Sequence, residues 1–155
     1  MAKRGRSHRR SRSRSQAPAA PRVENVYDAV RVIKELVCDE HTQGQLIVSL
    51  DASLRVIGAV FNCPCEACGD EVLRDPEDLI DLAYAMEADE LFLVTFVEPE
   101  RLAPTAADVA RFEGLRVECL YEDVRLLDHL LFSGHRWRSI AEVSLSADPD
   151  ASTSW

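Results

Sequence analysis

Val26, Val30, Ile33 and Val37 recur at steps of four, three and four. That spacing returns apolar side chains to one helical face and predicts a helix over about residues 24–39. The pattern then changes. "GQLIVSL" (44–50) and "RVIGAVFN" (55–62) are short apolar runs of strand length and composition. Asp51-Ala52-Ser53-Leu54 between them carries turn chemistry, so the two runs predict an antiparallel pair. "DPED" opens a second helix, with Asp75 as N-cap, Pro76 in the first turn, and Glu77 and Asp78 against the helix dipole. Leu79, Leu82, Ala83 and Met86 supply its buried face. "ELFLVTFV" (90–97) is too continuously apolar for an exposed edge and predicts a central strand. Thr105 caps a third helix, whose inner face is Val109, Phe112, Leu115 and Cys119, and Gly114 weakens that helix by up to ~1 kcal/mol. "DVRLLDHLLFS" (123–133) is a further strand, "HRWRSIAE" (135–142) a short strand and turn, and "SADPDASTSW" (146–155) a frayed tail. The order α-β-β-α-β-α-β-β predicts a mixed sheet with helices packed on it, an α/β or α+β domain.

The first 22 residues break this pattern. They have no apolar periodicity, and their Arg/Ser alternation followed by "QAPAAP" cannot bury a core, so a disordered arm is expected there. The expected organisation is an arm over 1–22, one domain over 23–145 and a flexible tail over 146–155. The arm carries Lys3, Arg4, Arg6, Arg9, Arg10, Arg12 and Arg14 with no acid, and Arg22 adds an eighth cation. The whole chain has 18 basic and 27 acidic residues, so residues 23–155 keep ten cations against every acid, a formal charge of −17. Flexible arginines bind phosphates without a fold, which makes nucleic acid or another polyanion the expected partner of residues 1–22. The alternative is a solubilising tail folded back on the acidic domain. The acidic domain itself repels a phosphate backbone.

No window reaches the ~18 uninterrupted apolar residues of a membrane span, and no apolar stretch follows the N-terminal charges, so neither a membrane nor an export signal is expected. A cytoplasmic location follows as the default, and Cys38, Cys63, Cys65, Cys68 and Cys119 are then expected to be thiols.

Four stretches carry a family likeness. "LIVSLDASLRVIG" is similar to the opening hairpin of the RadC-like branch of the JAB/MPN domains. "DPEDLIDLAYAMEADELFLV" resembles the helix and strand that lead to the metal site of that family, and "PTAADV" resembles its Pro-Ser-x-x-Asp segment. "VRLLDHLLFSG" followed by "SIAE" is the most specific, resembling the terminal strand and its Ser-Leu-Ala-Glu-like turn. The likeness runs from about Gln43 to Glu142. It implies a JAB/MPN-like mixed sheet flanked by helices and, in catalytic members, a zinc-dependent metallopeptidase. Those members hold zinc with His-x-His, seven residues, then Ser-x-x-Asp, assisted by an upstream Glu. Here the spacing is kept as Thr95-x-Val97, seven residues, Thr105-x-x-Asp108, while the chemistry is not. Thr95 and Val97 stand at the imidazole positions, and alignment places Gln43 at the Glu position. A catalytic zinc takes three protein ligands, and only Asp108 remains. Thr105 with Asp108 also reads as a capping-box relative, which explains both residues without a ligand role.

Cys63, Cys65 and Cys68 form the only dense set of soft ligands, to which Cys38 or Cys119 could add a fourth; zinc can be held there, but redox-active or incidental thiols are the preferred reading and no cofactor is expected. His129 is expected to be a partly buried strand residue with a local hydrogen bond, and His41 and His135 to be loop residues. The functional expectation is a non-catalytic RadC-like domain, a pseudoenzyme serving as an interaction or adaptor module. A zinc-dependent JAB-type hydrolase and a zinc- or redox-responsive binding protein are the alternatives. RadC-like proteins carry a DNA-repair name, but likeness of fold does not transmit that role.

Overall fold

The computed structural model describes residues 19–37, 43–62 and 75–147. Residues 1–18, Cys38, the segment with Cys63, Cys65 and Cys68, and residues 148–155 lie outside the described residues.

Each expected element is present. They are α1 (Val26–Leu36), β1 (Gly44–Leu50), β2 (Val56–Asn62), α2 (Pro76–Ala85), β3 (Glu90–Phe96), α3 (Ala106–Tyr121), β4 (Arg125–Ser133) and β5 (Arg136–Ser139). A single 3-10 turn, Pro99–Arg101, sits between β3 and α3, and a helix α4 (Ile140–Ala147) follows β5 where only a turn was expected. The five strands form one sheet in the order β2-β1-β3-β4-β5. β3 and β4 run parallel, and the other pairs are antiparallel, so the architecture is α+β. β3 is central, as its continuous apolar run requires.

Local chemistry fixes the element ends. The Asn25 side chain caps α1 by accepting from the N–H groups of Tyr27 (3.0 Å) and Asp28 (3.1 Å). Asp75 occupies the N-cap of α2 without a side-chain cap bond, so Pro76 and the acids of the first turn set that start. In the β1–β2 turn, Asp51 Oδ1 accepts from Ser53 N–H (2.8 Å) and Arg55 N–H (2.9 Å), and Leu54 takes the left-handed conformation at φ 62. The ordered domain begins earlier than expected. Val56 N–H donates to Pro21 (3.0 Å), Val23 N–H donates to Leu54 (2.8 Å), and Arg22 bridges to Arg55. The last residues of the expected arm are thus tied to the β1–β2 turn and the start of β2.

Period-2 alternation divides the core between the two sheet faces. Leu46, Val48, Leu50, Phe92, Val94, Leu130 and Phe132 pack against α1, while Ile47, Leu91, Leu93, Leu126 and Leu131 pack in the core with α2 and α3 residues. β4 carries one extra residue, Leu127, because Leu91 pairs with Leu126 and Phe92 with Asp128. This irregularity sets which way Asp128 and His129 point.

Candidate functional site

The parallel strands β3 and β4 carry Thr95 and His129 on the sheet face that α3 covers, and the first turn of α3 carries Asp108. Thr95 is half-buried and lies opposite Gln45 on β1. Gln45 Nε2 donates to Thr95 Oγ1 at 3.2 Å, and Thr95 Oγ1 lies 2.8 Å from His129 Nε2. A hydroxyl that accepts from the Gln45 amide has its own proton to give, so it donates to His129 Nε2 and leaves the imidazole proton on Nδ1. Gln45 is only 8% exposed, and its Oε1 is buried without a partner among the described residues. Burial, and then the positive charge of Arg111, push the His129 pKa down to about 4 against a weaker pull from Asp108. The ring is therefore neutral near pH 7.

Asp108 is occupied by the cap of its own helix. Its Oδ2 accepts from Thr105 N–H (2.8 Å) and Thr105 Oγ1 (2.7 Å), and Thr105 Oγ1 in turn accepts from Asp108 N–H (3.2 Å). This is a complete capping box. Asp108 Oδ1 lies 3.7 Å from Arg101. Burial acts against the charge, but the Thr105 hydrogen bonds and Arg101 outweigh it and hold the carboxyl below its ordinary value.

The remaining expected positions do not converge on this node. Gln43 is exposed just ahead of β1, two residues from the glutamine that faces Thr95. Val97 follows β3, gives its N–H to Phe132 at 2.8 Å and packs its side chain on the core beneath α3. Cys119 is fully buried in that core, where burial pushes its thiol up. The ring bond of His129 is not local: it crosses from β4 to β3 and continues to β1.

A second polar node was missing from the sequence expectations. Asp128 is fully buried, and it accepts from His129 N–H (2.6 Å), Ala141 N–H (3.1 Å) and Ser139 Oγ (2.6 Å). Ser139 Oγ accepts from Glu142 N–H at 3.0 Å. Ser139 and Asp128 together accept from two N–H groups of the first turn of α4, which have no partner inside the helix. Burial raises the Asp128 pKa to about 6 despite these three bonds. The Ser-x-x-Glu spacing of 139–142 is the signal that marks this helix start.

The donor set at Thr95 does not fit a zinc ion. It offers one hydroxyl, one amide, one imidazole whose Nε2 is already taken, and one carboxylate committed to a cap. Among the described residues no group of three His, Cys, Asp or Glu side chains could hold a metal ion. The Cys63, Cys65 and Cys68 cluster lies outside those residues. No helix among them is long and apolar enough to cross a membrane. No protein-family model matches the chain, and no curated protein is significantly similar to it.

Proposed function

We propose that this chain is a non-catalytic domain of the RadC-like JAB/MPN type that works as an interaction module, with its Arg/Ser arm contacting polyanions. The observation that supports the non-catalytic reading most is that Thr95, His129 and Asp108, where the family places its metal, are already engaged by protein groups. Thr95 is held by Gln45 and His129, and Asp108 by Thr105 and Arg101. Thr95 with His129 has the spacing of a nucleophile and its base. The base is too weak, however: general-base catalysis is best when the pKa lies near the working pH, and burial leaves this imidazole at about 4. The interaction reading draws on the outer surface. Val117, Leu120 and Tyr121 sit at i, i+3 and i+4 on α3 and are 48%, 63% and 83% exposed. Tyr84 of α2 joins this end of α3 through its hydrogen bonds to Glu122. Exposed apolar groups that share one end of a helix in this way support a contact surface there.

The test is cleavage of unfolded protein and peptide substrates by the full chain supplied with zinc. No chelator-sensitive cleavage is expected. Zinc-restored cleavage that disappears in Asp108→Ala would overturn the proposal.

A further inference from the structure

Among the described residues β5 is the outer strand of the sheet on the β4 side. It follows a two-residue turn, with Gly134 at φ 59 in the first turn position and Ser133 paired with Arg136. In such a hairpin the closing pair exchanges both hydrogen bonds, and every second residue turns its backbone away from the partner strand. Arg136 and Arg138 therefore spend their backbone groups on β4, and Trp137 and Ser139 turn theirs to the open side. Arg138 Nη1 takes the Trp137 carbonyl at 3.1 Å, which leaves the Trp137 N–H directed outward with no partner among the described residues.

The charge of this edge is opposite to that of the domain. Residues 129–141 contain no Asp or Glu but include His135, Arg136 and Arg138, while residues 23–155 as a whole carry −17. Arg136 and Arg138 are both exposed, and neither meets an acid among the described residues. On the other face of the strand Trp137 meets Tyr27 edge-on, with ring centroids 5.8 Å apart, and Tyr27 is 71% exposed. The edge thus combines an open backbone donor, two cations on one face and an aromatic pair on the other.

We propose that the open edge of β5 takes an acidic, extended protein segment as a sixth strand. The proposal names the partner class for the interaction module, and to that extent it rests on that reading. Charge complementarity selects the occupant. A second copy would set Arg136 and Arg138 against their own kind, which is how charged edge strands resist self-pairing. A nucleic acid would find only this short cationic stretch before its phosphates ran onto acidic surface. An acidic strand meets the arginines and supplies a carbonyl to the Trp137 N–H, as strand addition requires.

The experiment is a titration of the full chain with the blocked peptide Glu-Val-Glu-Phe-Glu-Val, followed by amide NMR. Shifts should centre on Trp137 and Ser139. Affinity should fall about tenfold or more in Arg136→Glu/Arg138→Glu, and should be largely kept in Arg136→Lys/Arg138→Lys, which also controls for folding. A peptide N-methylated at alternate residues should bind much more weakly, because it cannot complete the ladder. Equal binding of the methylated peptide would overturn strand addition, and so would tighter binding at these residues by a single-stranded oligonucleotide of the same charge. Absence of shifts at β5 when the peptide is in large excess would also overturn it. Zinc-dependent hydrolysis would refute the non-catalytic reading and leave this result standing, since no titrated residue belongs to the Thr95 node.

Discussion

Replacing Asp128 by Asn should change how stability depends on pH, and in a direction that isolates its neighbour. Asp128 has a folded-state pKa of about 6 against 3.8 for an ordinary Asp, because burial opposes its charge. The folded state therefore keeps a proton that the unfolded chain releases. The stability tied to that proton is fully present below about pH 4 and is lost as pH rises through about 6. A shift of roughly two units corresponds to about 3 kcal/mol. His129 has the opposite sign. Its folded-state pKa of about 4 lies below the ordinary 6.5, so the unfolded chain binds the proton more readily. Stability tied to His129 is present above about pH 6.5 and is lost as pH falls toward about 4, again by about 3 kcal/mol at most. In the native protein the two nearly cancel between about pH 4 and 6. At about pH 4 Asp128→Asn is destabilising, because an amide cannot accept from Ser139 and the helix N–H groups together, at a cost of about 1–3 kcal/mol. That penalty should shrink by up to about 3 kcal/mol as pH rises from about 4 to 6, since the native carboxyl loses its protonation stability over that range. His129→Gln should show the reverse, with a penalty that grows as pH rises. Urea unfolding followed by far-UV circular dichroism at pH steps across this window measures both. Curves for the two variants that run parallel to the native curve would refute the reasoning.

Thr105→Ala removes the hydroxyl half of the α3 capping box and should cost about 1 kcal/mol in urea unfolding, with the Asp108 carboxyl titrating at higher pH. Phe92→Ala empties the centre of the core between the sheet and α1, where Phe92 is fully buried, and should cost about 3–5 kcal/mol by the same measurement. Changing Arg4, Arg6, Arg9, Arg10, Arg12 and Arg14 together to Gln should abolish binding of the full chain to a labelled duplex. In the native chain that binding should weaken by orders of magnitude between ~50 and ~200 mM salt if six or more phosphates are engaged. Unchanged affinity would show that the acidic domain binds despite its charge.

Elements with a strong period were legible in the sequence. The unbroken run Leu91–Val94 placed β3 at the centre, and Thr105 with Asp108 marked the start of α3 to the residue. Contacts that depend on register were not. Gln45 meets Thr95 because β1 and β3 pair in one particular alignment, and no local pattern distinguishes it from Gln43 two residues earlier. His129 reaches Thr95 because the extra residue Leu127 shifts the alignment of β4 against β3. Asp128 was hidden for another reason: a carboxylate in an apolar strand gives no sign that its partners lie eleven or more residues on, at Ser139 and Ala141. α4 was announced by Ser139-x-x-Glu142, but its few residues ahead of a polar tail made a turn the simpler expectation. Pro21 and Arg22 look like the rest of the arm in composition. Only their backbone pairing to the β1–β2 turn and the start of β2 separates them from it.

The central proposal is that the node of Thr95, Gln45, His129 and Asp108 holds no metal ion. Zinc stoichiometry of the full chain, purified without affinity chelation and compared with Asp108→Ala and with Cys63→Ser/Cys65→Ser/Cys68→Ser, tests it most directly. The account predicts that Asp108→Ala leaves the zinc content unchanged, and that any zinc present is lost with the three cysteines. One zinc per chain that survives the cysteine changes and disappears in Asp108→Ala would contradict it.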